Sequence, residues 1–134
     1  MSECHRLPIR VYYEDTDAGG ICYHTAYLRF AERARTEYLR DLGFDHVGLK
    51  ESAGGNFVVA RVEADYLRPA RLDDALVVET RILAAGGAST TMEQVVRRDG
   101  TDLVRLIVRL AFLTPTGRPG RMPQGVRQAF DRAA

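Results

Sequence analysis

The sequence predicts an α+β domain in which one long helix packs on a single face of an antiparallel sheet. Two observations indicate this class. One segment, beginning near Thr25, carries apolar residues at spacings of three and four, whereas most of the remaining chain alternates between apolar and polar positions, as half-buried strands do. The 134 residues are enough for a single domain, 1–134, and we expect its core to span about 7–114, followed by a tail over 115–134.

The first half of the chain predicts a strand followed by the helix. Apolar and polar residues alternate over Ile9–Tyr13, directly after Pro8, which indicates a short strand. The helix is expected to begin at Thr25, a candidate N-cap residue, and to end at Gly43. Its apolar stripe consists of Tyr27, Ala31, Ala34, Tyr38 and Leu42. The small alanines in this stripe predict close packing of the helix on the sheet.

The second half of the chain predicts four more strands from the same alternation. Their expected ranges are 58–66, 76–83, 90–98 and 103–113. Asp99 and Gly100 separate the last two strands, and this dipeptide between alternating segments is typical of a two-residue hairpin turn. A short helix is expected near the end, from Gln124 to Arg132.

Composition excludes several classes of protein. The 19 basic and 18 acidic residues leave a net charge of +1, whereas a general nucleic-acid binder needs a basic excess. No apolar run approaches the roughly 20 residues that span a bilayer. The first residues lack the apolar stretch of a secretion signal, and the 2 cysteines are too few for a disulfide framework, so we expect a cytoplasmic protein.

The segment before the helix holds the densest set of reactive side chains. Glu14–His24 combines three acidic residues, two glycines, a cysteine and a histidine. The pattern alone leaves two interpretations open. One is a solvated turn in which Asp17 bonds its own backbone. The other is a catalytic site: amides at the helix start stabilise an oxyanion, a carboxylate and an imidazole act beside them, and Gly19–Gly20 lets a ligand approach closely.

Two other chemistries are weaker matches to the sequence. A zinc site would need Cys4, His5, Cys22 and His24, but adjacent ligands near a chain terminus give poor tetrahedral geometry, so we expect no metal. Cys22 next to His24 could also suggest a thiolate nucleophile. A cysteine in apolar surroundings more often packs as a small hydrophobic residue, which is the interpretation we favour for Cys22.

The segment before the helix and the first half of the helix form one long motif. Its members are Arg10–Ile21, Tyr23–His24, Tyr27 and Glu32–Arg35. The motif resembles the signature of the 4-hydroxybenzoyl-CoA thioesterase family. Together with 66–74, it is most similar to the branch associated with the Tol–Pal system, and the likeness covers about 7–125. Cys22 departs from this branch, which usually has a small aliphatic residue there.

This resemblance implies the hotdog fold, in which an antiparallel sheet wraps a long helix, and a thioesterase that hydrolyses an acyl-CoA to a free acid and coenzyme A. It places the catalytic carboxylate on Asp17, as nucleophile or general base. His24 would orient the substrate or Asp17, and backbone amides around Tyr23 and His24 would form the oxyanion hole. The substrate-binding residues that it implies are Tyr13, Gly20, Tyr23 and Tyr27, of which Tyr13 and Tyr27 also fit core-facing positions.

The resemblance also implies partners. No metal or redox cofactor is expected, because coenzyme A enters as part of the substrate. A homodimer or homotetramer is expected, and an acyl carrier protein is a further partner that the resemblance allows. Two rival functions stay open: a hotdog hydratase or dehydratase, and a non-catalytic module that binds acyl-CoA or acyl carrier protein. Release of free thiol from a thioester separates hydrolysis from both.

Overall fold

The computed structural model describes residues 4–134 and contains one sheet of five antiparallel strands. The strands are β1 (His5–Arg10), β2 (Asn56–Tyr66), β3 (Ala75–Ala85), β4 (Ser89–Arg98) and β5 (Thr101–Leu113). Their order across the sheet is β1-β3-β4-β5-β2. The helices are α1 (Ala26–Asp41), α2 (His46–Ala53) and α3 (Gln124–Ala133). The predicted α+β class, the long helix and the four later strands are confirmed.

Helix α1 packs against β1, β3 and β4 through the predicted stripe. Four of the five stripe residues are buried, and Leu42 is partly buried at the end of the helix. Phe30 adds a fully buried aromatic ring that the stripe did not include. Ala31 and Ala34 are also fully buried. Their small side chains let the helix backbone approach the sheet, so the backbone itself can take part in contacts with the strands.

A buried glutamine on β4 connects the sheet to the middle of α1. Gln94 is fully buried, and its Nε2 donates hydrogen bonds of 2.9 Å to the carbonyl oxygen of Ala31 and to Oγ1 of Thr80. Its Oε1 accepts a hydrogen bond of 2.9 Å from Nη1 of Arg35. Every polar atom of the glutamine amide therefore has a partner, which is the condition for burying it without a large penalty.

The first strand lies earlier in the chain than its alternation predicted. β1 ends at Arg10, and Tyr13 begins a single turn of 3-10 helix, Tyr13–Asp15. Tyr13 is 82% exposed, so its expected core-facing position is wrong. The turn forms because the backbone N–H of Tyr12 donates to Oδ2 of Asp15 at 2.9 Å, which bends the chain away from the strand direction.

The predicted hairpin between β4 and β5 is confirmed. Asp99 and Gly100 have φ angles of 50° and 78°, so both central residues are in the left-handed region that this tight turn requires. The register places Arg98 opposite Thr101 and Val96 opposite Val104, with an irregularity between Val96 and the next residue. The turn thereby fixes the pairing of β4 with β5.

The last helix is confirmed, but the expected limit of the core is wrong. α3 buries Val126 and Phe130 in the same core as α1, so residues after 114 belong to the packed domain. α2 was not predicted from the sequence. It begins at the N-cap Asp45, whose side chain accepts from the backbone N–H of Gly48, and it buries only Leu49. None of the helices in residues 4–134 has the length and apolar character that would let it cross a bilayer.

Strand β2 is an edge of the sheet and is poorly covered. It pairs only with β5, and most of its residues are exposed. Val58, Val59 and Val62 are 39%, 46% and 37% exposed. A long edge strand with unpaired backbone groups and apolar side chains is a surface that proteins normally cover.

We predict that a second copy of the chain covers β2, so that the protein is at least a homodimer. Val59→Asp would place a charge in this interface and is expected to shift the protein toward monomer, measured by multi-angle light scattering over a dilution series. Leu83→Asp is the matched control, because Leu83 is 48% exposed on β3, which β4 and β5 separate from β2. A wild-type protein that is active as a stable monomer would contradict the prediction.

We predict that Gln94→Leu lowers the free energy of unfolding by about 2–4 kcal/mol, because Arg35 and Thr80 lose their buried partner. Urea unfolding followed by circular dichroism measures the change. Gln128→Leu, on the exposed face of α3, is the control and is expected to change the free energy of unfolding by less than about 0.5 kcal/mol. Equal effects of the two variants would contradict the role of the buried amide.

Candidate active site

A cleft of about 430 Å³ lies beside the start of α1. It is lined by Asp17, Ile21, Cys22, His24, Tyr27, Tyr66, Leu67, Arg68 and Pro69. Three residues that the sequence motif singled out, Asp17, His24 and Tyr27, therefore meet at one place. The other side of the cleft comes from the end of β2 and the turn after it, which the motif before the helix does not contain.

A tight turn presents Asp17 to this cleft. The backbone N–H of Asp17 donates to the carbonyl of Ile21, and the N–H of Gly20 donates to the carbonyl of Asp17, both at 3.0 Å. Gly20 closes the turn with a φ of 78°, a conformation that favours glycine. Oδ1 of Asp17 accepts from the N–H of Gly19 at 2.8 Å. The carboxylate is exposed and forms no ion pair with any residue of 4–134, so its other oxygen remains available.

Asp15, two residues earlier, differs from Asp17 because it is buried and its carboxylate is hydrogen-bonded on both oxygens. It is 3% exposed, and its carboxylate accepts from the backbone N–H of Tyr12 and from Nη2 of Arg29 at 2.9 and 3.1 Å. Its carbonyl also accepts a hydrogen bond of 2.7 Å from the N–H of Tyr23. Asp15 therefore supports the loop, whereas Asp17 faces the cleft with an uncommitted oxygen.

His24 is exposed and lies among aromatic rings. Its ring centroid is 4.6 Å from that of Tyr23 and 6.3 Å from that of Tyr66, which meets it edge-on. The hydroxyl of Tyr66 donates a hydrogen bond of 2.9 Å to the backbone carbonyl of His24. Tyr66 was not among the site residues expected from the sequence. The available signal was its position at the end of a predicted strand, three residues before Pro69.

Of the backbone amides just before α1, one is hydrogen-bonded within the loop and two have no acceptor among residues 4–134. The amide of Tyr23 donates to the carbonyl of Asp15, so among the amides around Tyr23 and His24 this one is already used within the loop. Within residues 4–134, the amides of His24 and Thr25 have no hydrogen-bond acceptor. Two unpaired N–H groups at the positive end of a helix are suited to stabilising a developing negative charge.

Cys22 and Tyr27 form a neutral wall of the cleft. Cys22 is 3% exposed, and burial raises the pKa of its thiol to about 11. The hydroxyl of Tyr27 accepts a hydrogen bond of 2.9 Å from the N–H of Ala70, and burial raises its pKa to about 12. Both groups stay protonated near neutral pH, and the Cys22 thiol is therefore a poor nucleophile.

The remaining candidates lie around the cleft rather than in its lining. Tyr13, Gly20 and Tyr23 are all exposed and do not line it. The four residues considered for zinc do not assemble: no group of three or more histidine, cysteine or acidic side chains in 4–134 is placed to hold a metal ion.

A second cavity, also of about 430 Å³, lies between α1, α2 and β2. Phe57 and Phe130 form part of its apolar wall, and Arg35 and His46 contribute polar groups. His46 is partly buried and hydrogen-bonds Asn56 at 2.9 Å. The cavity contains neither Asp17 nor His24, so we place the candidate chemistry in the cleft beside α1.

Comparisons with known proteins agree with this fold and motif. Residues 19–105 match the family model described as thioesterase superfamily. The chain is 45% identical over 125 residues to acyl-CoA thioesterase YbgC of Haemophilus influenzae, covering 92% of each chain. A probable thioesterase from Bartonella henselae is 39% identical, with a TM-score of 0.87 over 90% of this chain and 100% of that one.

A third relative, a thioesterase from Thermus thermophilus solved with coenzyme A and zinc, is 32% identical, with a TM-score of 0.82 over 96% of this chain and 92% of that one. These likenesses confirm the hotdog fold and the family that the motif before the helix indicated. The chain belongs to the thioesterase superfamily.

Proposed function

We propose that the chain hydrolyses an acyl-CoA thioester to a free acid and coenzyme A at the cleft beside α1. The observation that carries the proposal is the exposed, unpaired carboxylate of Asp17 in the same cleft as His24, whose backbone amide has no acceptor in 4–134. The name of the Haemophilus influenzae relative and the coenzyme A bound to the Thermus thermophilus relative support the choice of substrate class.

Asp17 can act in two ways, and both use its uncommitted oxygen. As a nucleophile, it would attack the thioester carbonyl carbon, break the carbon–sulfur bond and release the coenzyme A thiolate, leaving a mixed anhydride that water hydrolyses. As a general base, it would take a proton from water, whose oxygen attacks the same carbon. In either case the second oxygen of Asp17 stays anchored to the amide of Gly19.

The start of α1 supplies the electrostatic part of the proposed mechanism. The carbonyl oxygen of the thioester gains negative charge when the carbon is attacked, and the backbone amide of His24, which lines the cleft, would donate to it there. The imidazole of His24 lines the same cleft and would donate a hydrogen bond that orients the substrate. The neutral side chains of Cys22 and Tyr27 place no competing charge beside Asp17.

The same proposal includes a homo-oligomer and a cytoplasmic location. The uncovered edge of β2 supports assembly of identical chains. Cys4 and Cys22 are both unpaired thiols, which suits a reducing compartment. The thioester of an acyl carrier protein is an alternative substrate for the same reaction, and it can be assayed beside the acyl-CoAs.

We predict that Asp17→Asn lowers kcat for acyl-CoA hydrolysis by about a hundredfold or more, because the amide cannot act as nucleophile or base. Binding of substrate is expected to persist, since the turn and the helix start remain. A thiol-release assay over a panel of acyl-CoAs measures the loss. Glu14→Gln is the matched control, because Glu14 is an exposed carboxylate outside the cleft. Asp15→Asn is not a suitable control, since Asp15 is buried and paired with Arg29.

The thiol-release assay also tests the rival functions. Consumption of an unsaturated acyl-CoA without release of thiol would indicate a hydratase. Binding without any turnover would indicate a non-catalytic module. Cleavage by the Asp17→Asn variant at nearly the wild-type rate would show that another residue carries the chemistry.

We predict that Cys22→Ser keeps kcat within about threefold of wild type, because the Cys22 thiol is buried and protonated rather than reactive. Steady-state kinetics with the same acyl-CoA panel measures the effect, and the preferred chain length is expected to change more than kcat. Complete loss of activity in a variant with an unchanged circular dichroism spectrum would favour a thiolate mechanism.

A further inference from the structure

Arg68 is the cation of the cleft beside α1, and it forms no ion pair with any acid of residues 4–134. The residue is exposed, and its Nη1 donates a hydrogen bond of 3.4 Å to the backbone carbonyl of Asp102. A guanidinium carries five N–H donors, so this long contact leaves most of them free. The cleft therefore contains a permanent positive charge that the fold does not neutralise.

The acids near Arg68 are paired with other arginines. The carboxylate of Asp102, whose carbonyl Arg68 contacts, accepts a hydrogen bond of 2.6 Å from Nε of Arg97. The carboxylate of Asp74 accepts from Nη1 of Arg98, also at 2.6 Å. The same Nη1 donates at 3.3 Å to the backbone carbonyl of the residue that follows Arg68. Each of these acids already has a guanidinium partner, so the arrangement leaves Arg68 available to a ligand.

The backbone on either side of Arg68 is fixed to the rest of the cleft. The N–H groups of Leu67 and Arg68 both donate to the carbonyl of Leu103, at 2.8 and 3.0 Å. Ala70 is fully buried, and its N–H donates at 2.9 Å to the hydroxyl of Tyr27. This segment cannot move away from the cleft without breaking these bonds, so only the side chain of Arg68 is free to adjust to a ligand.

We propose that Arg68 binds an anionic group of the thioester substrate, an inference that rests on the proposed thioesterase function. Asp17 lines the same cleft, so a substrate whose carbonyl carbon meets Asp17 passes close to Arg68. Guanidinium groups bind phosphate and carboxylate oxygens through paired hydrogen bonds, which are about twice as strong as those between neutral groups. A thioester substrate can offer this chemistry in two places: a phosphate of coenzyme A, or a carboxylate on the acyl group.

The contact is expected to act on binding rather than on the chemical step. The anionic group is charged both before and during attack on the carbonyl carbon, so Arg68 stabilises the bound substrate and the transition state equally. Loss of the guanidinium should therefore raise KM and leave kcat nearly unchanged. Because Arg68 is exposed, salt should screen the contact, so KM of the wild type should rise more steeply with ionic strength than KM of the variant.

The test compares Arg68→Gln with wild type on four thioesters. Pentanoyl and glutaryl groups, which differ by a terminal carboxylate, are each carried on coenzyme A and on N-acetylcysteamine, which has no phosphate. We expect kcat/KM to fall about fivefold to twentyfold on the thioesters that carry the recognised anion, and to stay within about twofold on pentanoyl-N-acetylcysteamine, which carries none.

Two further variants control this comparison. Arg68→Lys should recover part of the loss, since lysine keeps the charge but not the planar fork of donors. Arg132→Gln is the matched control, because Arg132 is an exposed arginine on α3, outside the cleft, and it is expected to change kcat/KM on none of the four thioesters.

The outcomes identify the anion and separate this role from the proposed function. A loss on both coenzyme A thioesters indicates a phosphate, and a loss on both glutaryl thioesters indicates the acyl carboxylate; either supports the role of Arg68. Unchanged kcat/KM on all four, a similar loss on pentanoyl-N-acetylcysteamine, or a loss confined to kcat overturns that role and leaves thioester hydrolysis standing. A wild type that releases no thiol from these substrates or from the wider acyl-CoA panel overturns the proposed function, and the role of Arg68 with it.

Discussion

The close approach of α1 to the sheet is the constraint on which the rest of the molecule depends. The buried alanines of the helix allow this approach, and Gln94 uses it to bond the carbonyl of Ala31 inside the helix backbone. A larger residue at Ala31 or Ala34 would separate the two elements and break the hydrogen bond from Gln94 to the helix backbone. Since His24, which lines the cleft, lies two residues before α1, the same packing sets the position of the site.

The loop before α1 contains two carboxylates with different surroundings, one buried and one exposed. Asp15 is buried and accepts three hydrogen bonds through its side chain and carbonyl, so it fixes the path of the chain into the helix. Asp17 makes one side-chain hydrogen bond and stays exposed. The loop thus uses one acid for its own stability and leaves the other with an oxygen that can react. The solvated-turn interpretation and the catalytic interpretation of this segment are therefore compatible, because the turn is what presents Asp17.

Sequence patterns predicted the parts of the fold that are periodic and locally encoded. Alternation gave the later strands, and Asp99–Gly100 indicated the hairpin, since both residues must accept positive φ. α2 was missed because a helix that buries only Leu49 has almost no apolar period. Tyr13 was misplaced because a side-chain bond from Asp15 overrides the alternation. Tyr66 could not be assigned to the site from its neighbours, since its partner lies 42 residues away.

The side chains that line the cleft leave Asp17 without a charged partner. Asp17 is the acidic residue of the lining, and the three weaker acids there, Cys22, Tyr27 and Tyr66, remain neutral because burial disfavours their charged forms. Arg68 is the permanent cation of the lining, and it forms no ion pair with any acid of residues 4–134, Asp17 included. Asp17 therefore faces the cleft without a cation that would occupy its oxygens, whereas Arg29 occupies Asp15 in this way. The proposed reaction needs such a carboxylate, because its free oxygen has to reach either the carbonyl carbon or the attacking water.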